Sequence, residues 1–180
     1  YQFYVDEFCA TARQMVAAGK DGYAAFIEPG NVVTEAGRSA PSSGTAPARL
    51  PQMPAYHLVR PGHSGITVVN IGVGPSNAKT ITDHLAVLRP NCWLMVGHCG
   101  GLRQTQHIGD YVLAHAYLRQ DHILDDVVPP DIPIPALAEM QVALQDAAAM
   151  VTGERGEALK RRLRTGTVVT NDDRNWELRW

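Results

Sequence analysis

Two glycine-rich stretches in this 180-residue sequence hold the groups best suited to binding an anion. The first, VVNIGVGPSNAKT at 68–80, leads an apolar segment into Gly72, Gly74 and Pro75. Glycines permit a tight turn, and proline suits the first position of a helix, where backbone amides point outward without helical partners. We therefore expect an anion at these amides, beside the Ser76 hydroxyl.

Two familiar phosphate-binding motifs do not match this stretch. A Walker loop ahead of Lys79 would need glycine where the sequence has Val73 and Ala78. A dinucleotide fingerprint that begins at Gly72 would need its third glycine at Asn77. One alternative stays open: a glycine turn that joins a strand to a helix and binds nothing.

The second stretch, MVGHCGGLR at 95–103, again follows an apolar segment. Loops at the carboxyl ends of adjacent parallel strands face one crevice, so both stretches are predicted to border the same ligand. The stretch also contains one histidine, His98.

No metal site is predicted from the cysteines and the nearby histidine. If residues 92–99 form a strand, His98 and Cys99 point to opposite faces, whereas a tetrahedral site needs convergent ligands. The three cysteines are an odd number without CxxC spacing, which fits a reducing cytoplasm.

Periodicity predicts the elements that must position these stretches. Strand, helix and strand over 65–99 form a βαβ unit, so a largely parallel sheet is expected. Predicted helices cover 1–18, 76–89, 136–151 and 157–164; predicted strands cover 22–28, 65–72, 92–99, 109–119 and 165–170. Glycine, serine and proline predict a mobile surface loop at 36–54, and Asn171 or Asp172 is the expected N-cap of a last helix.

Composition excludes several classes of protein. A formal net charge of -2 provides no basic field for a nucleic-acid footprint. No apolar run approaches the roughly 20 residues that cross a bilayer, so no membrane association is expected. With 45% hydrophobic residues, the chain is long enough for one full core, which predicts a single domain.

Several motifs in this order resemble the nucleoside phosphorylase and nucleosidase superfamily, and within it the bacterial AMP nucleosidases. The segments that carry the resemblance are VVNIGVGPSNAKT, WLMVGHCGGLR, GDYVLAHAYLR, PPDIPIP and TGTVVTNDDRNWELR. The resemblance implies a nucleoside phosphorylase-like, three-layer α/β fold with a central mixed, largely parallel sheet, incomplete in this chain. It also implies hydrolysis of the N-glycosidic bond of AMP to adenine and ribose 5-phosphate, a step of purine nucleotide salvage.

The resemblance implies the residues of the site as well. Those expected to bind substrate are Gly72, Val73, Gly74, Ser76, Asn77, Gly97, Cys99, Gly100, Thr170 and Arg174, with Arg103 as a second candidate for the 5′-phosphate and His98 as the residue that positions water. Phosphorylases of the superfamily grip orthophosphate with an arginine and a serine or threonine, at positions that look like Met95 and His98 here. An uncharged thioether cannot pair with phosphate, so water is the expected nucleophile. His98 is then expected to orient or deprotonate that water, because histidine titrates near neutral pH. The alternative is a neutral histidine held by a structural hydrogen bond at a strand end.

The resemblance further implies how this chain relates to a complete enzyme. Residues 1–180 are interpreted as one partial catalytic domain, with the family's regulatory domain, its ribose-binding glutamate and its purine-protonating aspartate outside the sequence. A cytoplasmic homo-oligomer, a hexamer in relatives, is expected, with a small nucleotide as partner, no cofactor for the chemistry and Mg-ATP as an allosteric activator. The alternatives are a phosphorylase that uses orthophosphate and a non-catalytic nucleotide-binding module.

Overall fold

The computed structural model describes residues 2–62, 64–173 and 175–179. The chain divides into two compact units, Tyr1–Val73 and Gly74–Trp180, and each is described by itself. The interpretation of the whole chain as one partial catalytic domain stays a prediction.

The first unit is a helix with a four-stranded antiparallel sheet. Its elements are α1 (Gln2–Ala17), a 3₁₀ turn (Lys20–Gly22), β1 (Ala25–Glu28), β2 (Val32–Glu35), β3 (Ala55–Arg60) and β4 (Ser64–Val69). The strand order is β2-β1-β3-β4, and all three pairings are antiparallel.

One face of α1 forms the core of this unit. Its buried residues recur at helical spacing and pack with aromatic and aliphatic side chains of the turn and sheet; the cluster is Val5, Cys9, Ala12, Val16, Tyr23, Phe26, Tyr56 and Leu58. Phe8 and Met15 pack against it from the same helix. After α1, Gly19 adopts φ 60° and donates its amide to the Val16 carbonyl at 3.1 Å. The predicted amphipathic helix and its glycine end are confirmed.

The predictions for the strands of this unit hold only in part. The short strand predicted over 22–28 forms as β1, and 36–54 contains neither helix nor strand, apart from an isolated bridge between Val33 and Ser43. The strands β2 and β3 were not predicted. The predicted βαβ unit over 65–99 was wrong, because 92–99 forms no strand in the described structure and β4 pairs antiparallel with β3.

The described residues of the second unit form three helices and a three-stranded mixed sheet. Its elements are α2 (Pro75–Ala86), β5 (Tyr111–Gln120), β6 (Ile134–Pro135), α3 (Ala138–Thr152), α4 (Gly156–Arg162), β7 (Leu163–Asn171) and a 3₁₀ turn (Trp176–Arg179). The order is β6-β5-β7, with β5 parallel to β7 and antiparallel to β6. The predicted helices near 76–89, 136–151 and 157–164 and the strands near 109–119 and 165–170 are confirmed.

The strand predicted over 92–99 does not form. Residues 91–100 have no regular structure and are exposed. Apolar strands of parallel sheets bury both faces and need a hydrogen-bonded neighbour on each side. Among the described strands, β5 pairs with β6 and β7 and none pairs with this segment, so its side chains from Trp93 to Val96 face solvent.

The end of the chain also differs from the prediction. Asn171 is the last residue of β7 and is not a helix N-cap. Instead, the Asp173 Oδ1 accepts the Asn175 amide at 2.9 Å, just ahead of the 3₁₀ turn. None of the helices within the described ranges combines the length and apolar character that a membrane span requires.

Replacing Phe26 with alanine should lower the free energy of unfolding by about 3–5 kcal/mol. The ring is 0% exposed and meets Phe8 edge to face, so its removal leaves a cavity in the core. Urea denaturation followed by circular dichroism measures the change. Phe3→Ala, at a side chain that is 68% exposed, is the matched control and should change the value by less than about 0.5 kcal/mol. Equal losses in the two variants would contradict the assigned core.

Candidate functional site

The first predicted loop begins with a turn fixed by an asparagine side chain. The backbone N–H of Asn70 donates to the Pro54 carbonyl at 3.1 Å, and the side-chain Oδ1 of Asn70 accepts the backbone N–H of Gly72 at 3.0 Å. Gly72 has φ 74°, a left-handed conformation that favours glycine. Its amide is therefore already committed, and Gly72 contributes to this loop through its backbone conformation. Both Gly72 and the exposed Val73 belong to the first unit.

The second half of this loop starts α2 as the sequence predicts. Gly74 is the N-cap residue, with φ 98° and ψ 154°, and Pro75 occupies the start of the helix. This backbone region is essentially restricted to glycine. No heavy atom lies within 4 Å of where a Cβ at Gly74 would stand, so the conformation and not packing requires glycine.

Side chains along the first turns of α2 interact mainly within the helix. The Ser76 carbonyl accepts the Thr80 hydroxyl at 3.0 Å, and the exposed Ser76 side chain borders the helix start. Half-buried Asn77 follows it. Lys79 forms an ion pair with Asp83 on the exposed helix surface.

The second predicted loop lies in the irregular segment after α2. Gly97, His98, Cys99 and Gly100 are all exposed. A Cβ at Gly100 would lie 3.6 Å from Cη2 of Trp176, so this loop borders the 3₁₀ turn that follows β7. Arg103 continues into a tight turn in which its amide meets Oε1 of Gln106 at 2.9 Å. The proposal that both loops enclose one ligand stays a prediction.

No metal centre is evident in the part of the chain that the structure describes. No three side chains among its histidines, cysteines, aspartates and glutamates cluster closely enough to hold an ion. Cys92, one of the three cysteines, contacts the Met140 thioether at 3.2 Å. His98 and Cys99 do not lie on opposite faces of a strand as predicted, because 92–99 is irregular.

The predicted substrate residue Thr170 lies near the end of β7 and contacts a buried carboxylate. Its hydroxyl donates to Oδ2 of Asp121, which follows β5 and is 6% exposed. Beyond it, Oδ1 of Asn171 accepts the Asp173 amide at 2.8 Å, so a side chain shapes the loop after the strand. Arg174, the other residue predicted in this loop, lies outside the described residues.

Buried charge at the end of β5 is the feature that the sequence analysis missed. Arg119 is 5% exposed and donates from Nη2 to the Val128 carbonyl, while its Nη1 lies 3.7 Å from Oδ1 of Asp125. Within the described residues, Nε and Nη1 of Arg119 have no hydrogen-bond partner. The signal was present as the charged residues Arg119 and Asp121 ending an apolar strand, a pattern that departs from strand periodicity.

Exposed His122 lies at the same strand end. Its Nδ1 is 2.7 Å from Oδ2 of Asp125. That hydrogen bond and the carboxylate charge raise the pKa of His122 above the ordinary histidine value, with smaller contributions from Asp172 and Asp121. The aspartates around β5 and β7 therefore favour a cationic imidazole here.

A separate cleft at the opposite ends of these strands does not contain the predicted site residues. It is an open surface depression of about 480 Å³, lined by Ile108, Gly109, Asp110, Glu154, Ala158, Arg161 and Arg162. Most of its charges are paired internally: Arg162 contacts Glu154 at 2.8 and 2.9 Å, and Arg164 holds Asp110 at 2.9 Å. Backbone donation from His107, followed by the Arg164 contact, lowers the pKa of Asp110.

The chain is similar in sequence to a known family and to two curated proteins. The profile of the phosphorylase superfamily matches residues 54–179. The AMP nucleosidases of Escherichia coli K12 and O157:H7 are each 58% identical to this chain over 182 aligned residues. These alignments cover 100% of this chain and 38% of the relatives, so the chain spans well under half of their length.

Two solved structures resemble the chain in fold. The crystal structure of AMP nucleosidase from Bacteroides thetaiotaomicron VPI-5482 is 31% identical with a TM-score of 0.56, covering 71% of this chain and 50% of that one. Purine nucleoside phosphorylase from Toxoplasma gondii, in complex with immucillin-H, has a TM-score of 0.57 at 24% identity. The alignment covers 71% of this chain and 48% of the phosphorylase chain, and this likeness supports the fold alone.

Replacing Gly74 with alanine should lower the free energy of unfolding by about 1–3 kcal/mol, because an L side chain is strained at φ 98°. Thermal or urea denaturation measures the loss. Gly166→Ala is the matched control, since a Cβ there also meets nothing within 4 Å but the backbone is that of strand β7. A Gly74→Ala variant as stable as Gly166→Ala would contradict the observed start of α2.

The pKa of His122 should fall toward the ordinary histidine value in Asp125→Asn, because Asp125 supplies the largest effects that raise it. A raised folded pKa means that this pair stabilises the fold at acidic pH, and that its contribution disappears as pH rises through that pKa. Histidine NMR titration measures the change. Asp126→Asn removes a neighbouring carboxylate that does not bond His122 and should leave its titration in place; an equal effect of both variants would contradict the contact.

Proposed function

The chain belongs to the phosphorylase superfamily, and on that premise we propose that it forms part of an enzyme that hydrolyses AMP to adenine and ribose 5-phosphate. The observation that carries the proposal is 58% identity to AMP nucleosidases along the full length of this chain. The fold likeness to a third AMP nucleosidase, at 31% identity, supports the same assignment. The substrate is then a small nucleotide.

The reaction sets a problem of charge. As the glycosidic bond breaks, the ribose becomes oxocarbenium-like and the leaving purine gains electron density and needs a proton. In this proposal, the start of α2 lies near the 5′-phosphate, with amides and hydroxyl of the Gly74–Asn77 stretch as donors. Gly72, Val73, Gly97, Cys99, Gly100, Thr170 and Arg174 complete the proposed binding set, and the acid that protonates the purine is left unassigned.

The choice of hydrolysis over phosphorolysis depends on the second loop. By the resemblance described above, phosphorylases place an arginine where this chain has Met95. Met95 is 67% exposed and carries no charge, so it provides no grip for an orthophosphate nucleophile. Exposed His98 is then the residue proposed to orient or deprotonate water.

The remaining features of the proposal follow the family resemblance. The complete enzyme is proposed to be a cytoplasmic homo-oligomer, a hexamer, in which this chain is part of the catalytic domain. We propose that its chemistry needs no metal or cofactor and that Mg-ATP acts at a separate regulatory site.

Full-length protein should release ribose 5-phosphate and adenine from AMP in phosphate-free buffer, as measured by chromatography of the products. His98→Ala should lower kcat by about 10²–10⁴, the range for loss of a general acid or base. His84→Ala, in the last turn of α2, is the control and should leave kcat in place.

Other results would replace the proposal. Strict dependence on orthophosphate, with ribose 1,5-bisphosphate as product, would make the protein a phosphorylase. Binding of AMP by full-length protein without turnover would make it a nucleotide-binding module. Equal rates for His98→Ala and wild type would remove His98 from the chemistry while leaving the reaction assigned.

A further inference from the structure

A buried carboxylate and a half-buried hydroxyl meet at the carboxyl ends of β5 and β7. Oδ2 of Asp121 accepts the hydrogen bond of the Thr170 hydroxyl, and Oδ1 accepts the Ile123 amide at 3.0 Å. Both oxygens of this side chain therefore act as acceptors, the pattern of an ionised carboxylate. Asp121 is buried, whereas Thr170 keeps part of its surface exposed.

This contact fixes the direction in which the Thr170 hydroxyl bonds. A hydroxyl carries one proton and two lone pairs. Because the proton is directed at Asp121, only lone pairs are left for a ligand. An N–H or O–H group can donate to them, while a phosphate dianion, which has no proton to give, cannot.

The position of this hydroxyl favours contact with a ligand. Thr170 pairs in register with Arg119 across the parallel strands, one residue before both strands end. Ligands of α/β sheets bind beyond the carboxyl ends of the strands. The loop that follows is held by side-chain contacts from Asn171 and Asp173, so the hydroxyl stands on a supported edge.

We propose that Asp121 is a positioning residue, which holds the Thr170 hydroxyl so that it can only accept a hydrogen bond from a ligand. Thr170 then recognises a donor group of the nucleotide, either a ribose hydroxyl or the base amino group, and does not bind the phosphate. The inference rests on the proposed function, since it assigns a part of the same nucleotide site.

Asp121→Asn should reverse the direction of the hydrogen bond between residue 121 and the Thr170 hydroxyl. The Ile123 amide holds Oδ1, so the remaining oxygen of asparagine keeps that bond and its amide nitrogen faces Thr170. That nitrogen donates to Oγ1 and turns the threonine proton outward. The substitution preserves shape, removes one charge and converts an acceptor for the ligand into a donor.

The test compares Thr170→Val, Thr170→Ser and Asp121→Asn in the full-length protein, with AMP, 2′-deoxy-AMP, 3′-deoxy-AMP and IMP as substrates. Thr170→Val should lower kcat/KM for AMP about tenfold, and Thr170→Ser, which keeps the hydroxyl, should restore it. Asp121→Asn should lower kcat/KM for AMP by a similar factor without adding to the loss in the double variant with Thr170→Val.

The substrate analogues identify which donor Thr170 reads. If a ribose hydroxyl is read, the loss in Thr170→Val disappears with the deoxy-AMP that lacks that hydroxyl. If the base amino group is read, the loss disappears with IMP, and Asp121→Asn raises the ratio of IMP to AMP cleavage, because the reversed hydroxyl donates to the IMP carbonyl. A merely structural role for Asp121 would lower cleavage of all four nucleotides by one factor.

Two results would overturn the inference. Either Thr170→Val has the same kcat/KM as wild type with all four nucleotides, or it loses the same factor in kcat/KM with all four. If Asp121→Asn fails to fold, the valine and serine variants at Thr170 still decide. Failure of the proposed function is separate, because it would appear as no AMP cleavage by wild-type protein. In that case, calorimetry measures the affinity for each of the four nucleotides without cleavage. Equal affinities of wild type and Thr170→Val for all four would contradict the proposed contact.

Discussion

The parallel pairing of β5 with β7 is the constraint on which the described site depends. Nine residue pairs join the two strands, with a bulge between Ala114 and Ala116. Parallel neighbours cannot be joined by a tight turn, so the chain must cross over, and α3 and α4 fill that crossover. Because the strands are parallel, their carboxyl ends lie at one edge of the sheet. There Thr170 bonds Asp121, which is almost fifty residues away in sequence.

The polar contacts beyond β5 explain how an irregular segment rich in proline keeps its place. Four prolines limit regular hydrogen bonding over 124–135, where the two-residue strand β6 pairs with β5. Buried Arg119 holds the Val128 carbonyl, while Asp121 holds the Ile123 amide. Charge-assisted bonds to the backbone thus replace a strand ladder at this edge.

Sequence reasoning identified the elements whose signal is local. The periodic apolar face of α1, the Gly74-Pro75 start of α2 and the apolar runs of β5 and β7 each carry their own pattern, and the structure has all of them. It failed for β2 and β3, two short strands separated by a 19-residue loop that has no regular structure. It failed also at 92–99, where the pattern of a buried strand is present but no described strand pairs with it.

The site was predictable to the extent that it depends on backbone conformation. The glycines and the proline predict a loop that leads into a helix. Gly74 adopts a conformation that few other residues tolerate. Charged residues at the end of an apolar strand are a local signal for Asp121, but its hydrogen-bond partner comes from a distant part of the chain and has no such signal. Only the fold shows that Asp121 is buried against the Thr170 hydroxyl. Hydrogen-bond direction at Thr170 is therefore a property of the fold, and a residue list taken from sequence, even a correct one, leaves open whether that hydroxyl donates or accepts the hydrogen bond to a ligand.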